Sequence, residues 1–164
     1  MGQNLPNCTY STGAFHVKDT QSHYYIWCVS KNTTVSNFAL QVDMSIVSGD
    51  SGGVMFRVDS AIAQYYRFEI GQDGSYSLYL STNQSSPDQL LLSGSSAAIK
   101  TSAGQVNTVT IIANGSSLSF FVNQQLVASK SDTTLTSGNI GLIAHSLSSP
   151  STEVAFSNVK IWNM

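Results

Sequence analysis

Residues 51–81, SGGVMFRVDSAIAQYYRFEIGQDGSYSLYLS, read as three β-strands joined by two turns. Taken by twos, Val54, Phe56 and Val58, then Tyr66, Phe68 and Ile70, then Tyr76, Leu78 and Leu80 make an apolar face. The opposite face carries Met55, Arg57, Asp59, Tyr65, Arg67, Glu69, Ser77 and Tyr79. Alternation of this kind belongs to a sheet with one buried side and one wet side. The polar side holds both arginines of the chain beside acids and tyrosines, although only 10% of all residues are charged. That patch is the leading functional feature.

The same pattern runs through the rest of the chain. Alternating runs recur at 14–18, 23–29, 38–47, 53–59, 64–70, 75–81, 89–93, 106–113, 117–122, 125–130, 139–145 and 152–162. Turn formers lie between them, and Asn114-Gly115 is the strongest hairpin signal. In 38–47, Phe38, Leu40, Val42, Met44 and Ile46 share one face, opposite Ala39, Gln41, Asp43 and Ser45. The last run breaks the rule, because Val154 and Phe156 differ in parity from Val159 and Ile161. A bulge near Ser157-Asn158 would restore it. About a dozen short antiparallel strands in 164 residues predict an all-β sandwich or barrel, with 1–13 as an extended lead and 14–164 as one domain.

Composition narrows the function classes. Ser (28) and Thr (13) supply most of the polar surface, as in many extracellular β-proteins. Seven scattered Lys and Arg and a net charge of −2 give no footprint for nucleic acid or for anionic membranes. No run approaches the length of a membrane span, so the domain is not expected to insert. The opening MGQNLPNCTYSTG has neither a basic nor an apolar leader region. A cytosolic protein, or a domain cut from a longer secreted or membrane-anchored chain, fits this start, and we expect the second. Cys8 and Cys28 either bridge the lead to the strand around Trp27 or remain separate thiols. Four N-x-S/T sequons, at Asn7, Asn32, Asn83 and Asn114, match what chance gives in so Asn- and Ser-rich a chain.

The segments NTTVSNFALQVDMSI, GGVMFRVD, YYRFEIGQDGSYSLYL, NTVTIIANGSSLSFFVNQQLVASKSD and SGNIGLIA…EVAFSNVKIW resemble successive strands of a concanavalin A-like jelly roll. More narrowly, the chain is similar to LamG-like and family-16-glycoside-hydrolase-like domains of bacterial extracellular proteins. The resemblance covers 38–162 well and 14–29 loosely. It implies two antiparallel sheets, one concave and one convex, with ligands in the concave groove or at the loops of its rim. Such domains are often appended to hydrolases, adhesins and sensor proteins, including membrane-anchored kinases. Fold alone does not settle function.

The E-x-D-x-x-E strand of true family-16 enzymes is missing, and Glu69 and Glu153 are the only glutamates. Retaining chemistry needs two converging carboxylates, so glycosidase activity is not expected. His16, His23 and His145 lack any nucleophile context, and His145 reads as a strand-end residue. LamG-like domains often hold a rim calcium, for which Asp50 and Asp73 are weak candidates, although Asp in a turn is ordinary turn chemistry. Trp27 and Trp162 read as core residues near strand ends.

The patch itself has two readings. Pairing Arg57 with Glu69 and Asp59 with Arg67 across neighbouring strands would be a surface ion-pair lattice, worth under ~1 kcal/mol per pair. Alternatively Arg57, Tyr65, Arg67, Glu69 and Tyr79 form a sugar platform, if the face is open and concave. We expect an extracellular carbohydrate- or glycoconjugate-binding module without catalysis or cofactor. The rivals are a structural or sensor ectodomain that binds a protein partner, and an enzyme acting on keto- or ordinary disaccharides.

Overall fold

The structure, a computed structural model, describes residues 7–164. The chain forms β1 (Cys8–Ser11), β2 (Ala14–Asp19), β3 (Tyr24–Val29), β4 (Phe38–Ser48) and β5 (Ser51–Asp59). There follow β6 (Gln64–Gly71), β7 (Ser75–Ser81), β8 (Gln89–Ser95), β9 (Val106–Asn114) and β10 (Ser117–Val122). The series ends with β11 (Gln125–Ser131), β12 (Asn139–Ser146) and β13 (Thr152–Asn163). One sheet has the order β1-β2-β13-β4-β9-β10-β11 and the other β3-β12-β5-β6-β7-β8, with every pairing antiparallel. This is the expected all-β jelly-roll sandwich. The expected lead contributes strand β1, while residues 1–6 lie outside the described residues.

The two sheets meet through the predicted apolar faces. Phe38, Leu40, Val42 and Met44 are wholly buried, as are Val54, Phe56, Phe68, Ile70 and Leu78 from the opposite sheet. Phe68 stacks on Phe120 at 4.4 Å between centroids, and Phe56 on Tyr66 at 5.1 Å. Each such side chain contributes roughly 1.5–3 kcal/mol of transfer free energy, which is why this face sets the register of every strand.

Bulges then decide which residues leave that face. At the end of β13, Asn158 and Val159 stand against the single residue Val42, with Asn158 in a left-handed conformation (φ 53°). The expected bulge is therefore present, and Ile161 joins the core. Its consequence was not foreseen: Trp162 turns outward and is 49% exposed, not a core residue. Trp27 packs instead in a small apolar cluster with Met55, Val58, Tyr65 and Ile143, separate from the main core.

A second, unexpected bulge lies in β5, where Arg57 and Val58 stand against Tyr65 alone. It exchanges the two side chains. Val58 joins the small outer cluster, and Arg57, left-handed at φ 52°, reaches the end of the sandwich. There its Nη1 donates to the Leu135 carbonyl at 2.7 Å, and Nη2 to those of Ser36 and Gly115 at 3.1 and 2.9 Å. Gly138 crosses so close that a Cβ would lie 2.4 Å from the Arg57 carbonyl carbon.

Cys8 and Cys28 are bonded, joining β1 at the edge of one sheet to β3 at the edge of the other. The bridge borders an apolar cleft of about 480 Å³ lined in part by Phe15, Ile140, Leu142 and Ile161. The covalent link ties the two edges together, beside a hydrogen bond from the Ser146 backbone of β12 to Asp19 of β2. Reduction, or the Cys8→Ala, Cys28→Ala variant, should lower unfolding stability by roughly 3 kcal/mol, the chain-entropy value for a loop of this size. Denaturant titration with and without reductant measures it.

Candidate functional site

The polar cluster on the outer face of the second sheet forms because β6 and β7 keep strict alternation. Arg67 pairs with Met55 of β5 on one side and Tyr79 of β7 on the other, while Glu69 faces Gly53 and Ser77. The register expected between β5 and β6, with Arg57 opposite Glu69 and Asp59 opposite Arg67, is thus corrected. The bulge removes Arg57 from this face, and Asp59 sits beside Gln64.

Arg67 is 3% exposed, so its charge must be answered locally. Its guanidinium lies between two rings, 4.3 Å from the Tyr25 centroid and 4.4 Å from that of Tyr79. Nη1 donates to Glu69 Oε1 at 2.7 Å, and Nη2 pairs with Asp88 Oδ2 at 3.1 Å. Nε is buried and makes no hydrogen bond among the described residues. Cation–π contacts on both faces and carboxylates at the edge are what a largely dehydrated guanidinium requires.

The tyrosines form the wall. The Tyr25 and Tyr65 hydroxyls are 2.7 Å apart, and that of Tyr65 donates to Asp88 at 3.1 Å. Burial raises the pKa of both phenols above the ordinary value, so they stay protonated donors. Tyr25 also meets the His145 ring edge-on at 5.5 Å.

Glu69 lies beneath. Its Oε1 accepts from Arg67, and its Oε2 lies 3.0 Å from His145 Nδ1 and accepts from Ser51 Oγ at 3.3 Å. Burial alone would raise its pKa, but the His145 hydrogen bond and the Arg67 charge hold it below the ordinary 4.5. An ionised carboxylate only accepts, so His145 Nδ1 donates to Glu69. The single guanidinium is thus shared between two carboxylates.

Four of the five candidate residues, Tyr65, Arg67, Glu69 and Tyr79, are thus brought together, and Arg57 is not. The face is not the open platform the sugar reading called for. Tyr25 and Asp88 close over it, and solvent reaches it through Tyr25, Tyr79, Asp88 and His145, all partly buried. Sequence reasoning missed three members. Tyr25 comes from a strand whose place beside β12 no local pattern reveals. Asp88 comes from the connection between β7 and β8. His145, read as a strand-end residue, sits across from Tyr25 and Ser51.

The calcium candidates Asp50 and Asp73 both lie in turns. Asp50 accepts from the backbone and hydroxyl groups of Ser148 and Ser149, at 2.8 Å for three of those bonds. Asp73 accepts from the Ser75 backbone at 2.9 Å. Both are spent on turn geometry, and no group of three or more His, Cys, Asp or Glu side chains among the described residues could hold a metal.

Because the Glu69 pKa is lowered by folding, its stabilising contribution is full above about pH 4.5 and is lost as pH falls further. Asp43, Asp50, Asp73 and Asp132 shift in the same direction. The Glu69→Gln variant should therefore show a shallower loss of stability between neutral pH and pH 3 than the wild type, measured by denaturant unfolding across that range. Equal slopes would mean that folding does not lower the Glu69 pKa.

Comparison with solved structures places this geometry among known sandwiches. The carbohydrate binding module CBM66 from Bacillus subtilis is similar at 16% identity and a TM-score of 0.78, over 94% of this chain and 89% of that one. A legume lectin-like domain from Entamoeba histolytica matches at 15% identity and a TM-score of 0.66, over 96% and 87%. A sialidase matches at 14% identity and a TM-score of 0.63, over 98% of this chain but only 16% of the sialidase. At these identities the likeness shows the fold. A search of curated proteins returns no match. The family model described as the 3-keto-alpha-glucoside-1,2-lyase-like domain matches residues 4–162. With nearly the whole length matched, the chain belongs to the 3-keto-alpha-glucoside-1,2-lyase-like domain family.

Proposed function

We propose that this domain is a non-catalytic, extracellular module that binds a neutral carbohydrate or glycoconjugate at the Arg67 cluster. The observation that carries the reading is the charged stack itself. A guanidinium held nearly dry between Tyr25 and Tyr79, on the outer face of a sheet, costs stability that an apolar cluster would not. It fixes a set of sugar-recognition groups in return. The part-buried edges of Tyr25 and Tyr79 offer apolar surface, while the Asp88 carboxylate and the His145 ring offer polar atoms to hydroxyl groups. A binding module and a lectin-like domain among the structural neighbours support this reading. The Cys8–Cys28 bridge supports an extracellular setting.

One observation favours a second reading. The family is named for a lyase, and His145 is held by an ionised, buried Glu69, an arrangement that suits a proton-abstracting base. Against it, Glu69 and Asp88 are both engaged with Arg67, which leaves no carboxylate free to act as a hydrolytic acid or nucleophile.

A broad glycan array tests the proposal, with and without EDTA, using the wild type and the folded variants Asp88→Ala and Arg67→Ala. Binding of a neutral glycan, unchanged by EDTA and reduced at least about tenfold in both variants, is expected from the loss of hydrogen bonds to charged groups. Silence of the folded wild type would move the assignment to a protein-binding ectodomain. Turnover of a 3-keto-α-glucoside, abolished by His145→Ala, would move it to the enzyme.

A further inference from the structure

Tyr24 lies just outside the cluster and makes none of its hydrogen bonds. It is the first residue of β3 and follows His23, whose backbone is left-handed at φ 61°. Successive strand residues ordinarily point to opposite faces, yet the Tyr24 ring packs against that of Tyr25. Their centroids are 6.1 Å apart and their planes inclined by 22°. Arg67 in turn lies against Tyr25 and Tyr79, at 4.3 and 4.4 Å from the guanidinium carbon. Tyr24 thus adjoins the cluster through Tyr25, and it is 53% exposed.

Tyr25 gives that exposed ring a rigid support. Tyr25 is fixed through its hydroxyl to Tyr65 and by Arg67 beneath it. A ring already packed on one side presents a flat apolar surface that loses little freedom when a ligand covers it. The C–H face of a sugar ring fits such a surface. The Glu69 and Asp88 carboxylates of the neighbouring cluster disfavour uronic and sialic acids, so the matching chain is neutral.

We propose that Tyr24 is a second sugar position, continuous with the Arg67 cluster, and that the ligand is a neutral oligosaccharide rather than a single sugar. This rests on the carbohydrate-binding reading above. The first sugar contacts Asp88 and His145, and the next lies on Tyr24. The stack thereby converts one buried ion cluster into a two-position site that selects for chain length.

The test is an NMR titration, which reads weak affinities, with glucose, mannose, galactose and fructose and with the di- and trisaccharides of each series. In at least one series the disaccharide should bind about fivefold tighter than the monosaccharide, as one added aromatic contact allows. That gain should vanish in Tyr24→Ala, persist in Tyr24→Phe, and leave the monosaccharide affinity unchanged in both. Monosaccharide binding without a gain for the disaccharide, or a gain that survives Tyr24→Ala, would overturn the Tyr24 position and leave the cluster reading standing. Absence of binding to every member would overturn both.

Discussion

A strand places side chains on alternate faces, so every residue of this sandwich is committed to the core or to the outside by its count along the strand. One extra residue exchanges the two faces. The architecture depends on where those extra residues fall. In β5 the exchange sends Arg57 to the end of the sandwich and Val58 to the outer cluster. In β13 it returns Ile161 to the core and turns Trp162 to solvent. Arg67 keeps its place because the β6–β7 ladder runs without a shift past it.

The two arginines show how one residue type meets burial in two ways. Arg57, 1% exposed, is answered by three backbone carbonyls from separate loops, so it ties the end of the sandwich together. Burial lowers its pKa, and the neighbouring Tyr66 and Asp132 push the other way. Arg67 is answered by two carboxylates and two rings, which makes it the centre of a chemically varied surface. The first arrangement uses groups every loop possesses. The second brings together side chains from β3, β6, β7, β12 and the β7–β8 connection, and recognition chemistry needs that diversity.

Much of the fold was legible in the sequence, because a period of two records which face is buried. Every strand but β1, which lies in the expected lead, the boundaries within a few residues, and the bulge near Asn158 all followed from it. The site was legible only in part. Tyr65, Arg67, Glu69 and Tyr79 lie on neighbouring, hairpin-connected strands, where local pattern carries over to space. Tyr25 and His145 arrive from β3 and β12, and the order β3-β12-β5 rests on long-range pairings that no local signal encodes. The Arg57 displacement escaped notice because a bulge that leaves Val58 on an apolar surface produces no break in hydrophobic pattern. Its partner Met55 is apolar too, although it faces outward.

The most direct test of the account is to ask which face of the sandwich a sugar touches. Side-chain ¹⁵N resonances of His145 and Arg67, and the indole resonance of Trp162, can be followed while neutral glucan, mannan, galactan and fructan oligosaccharides are added. The account predicts that a bound oligosaccharide shifts His145 and Arg67 and leaves Trp162 unmoved. Shifts confined to Trp162, on the outer face of the opposite sheet, would contradict it.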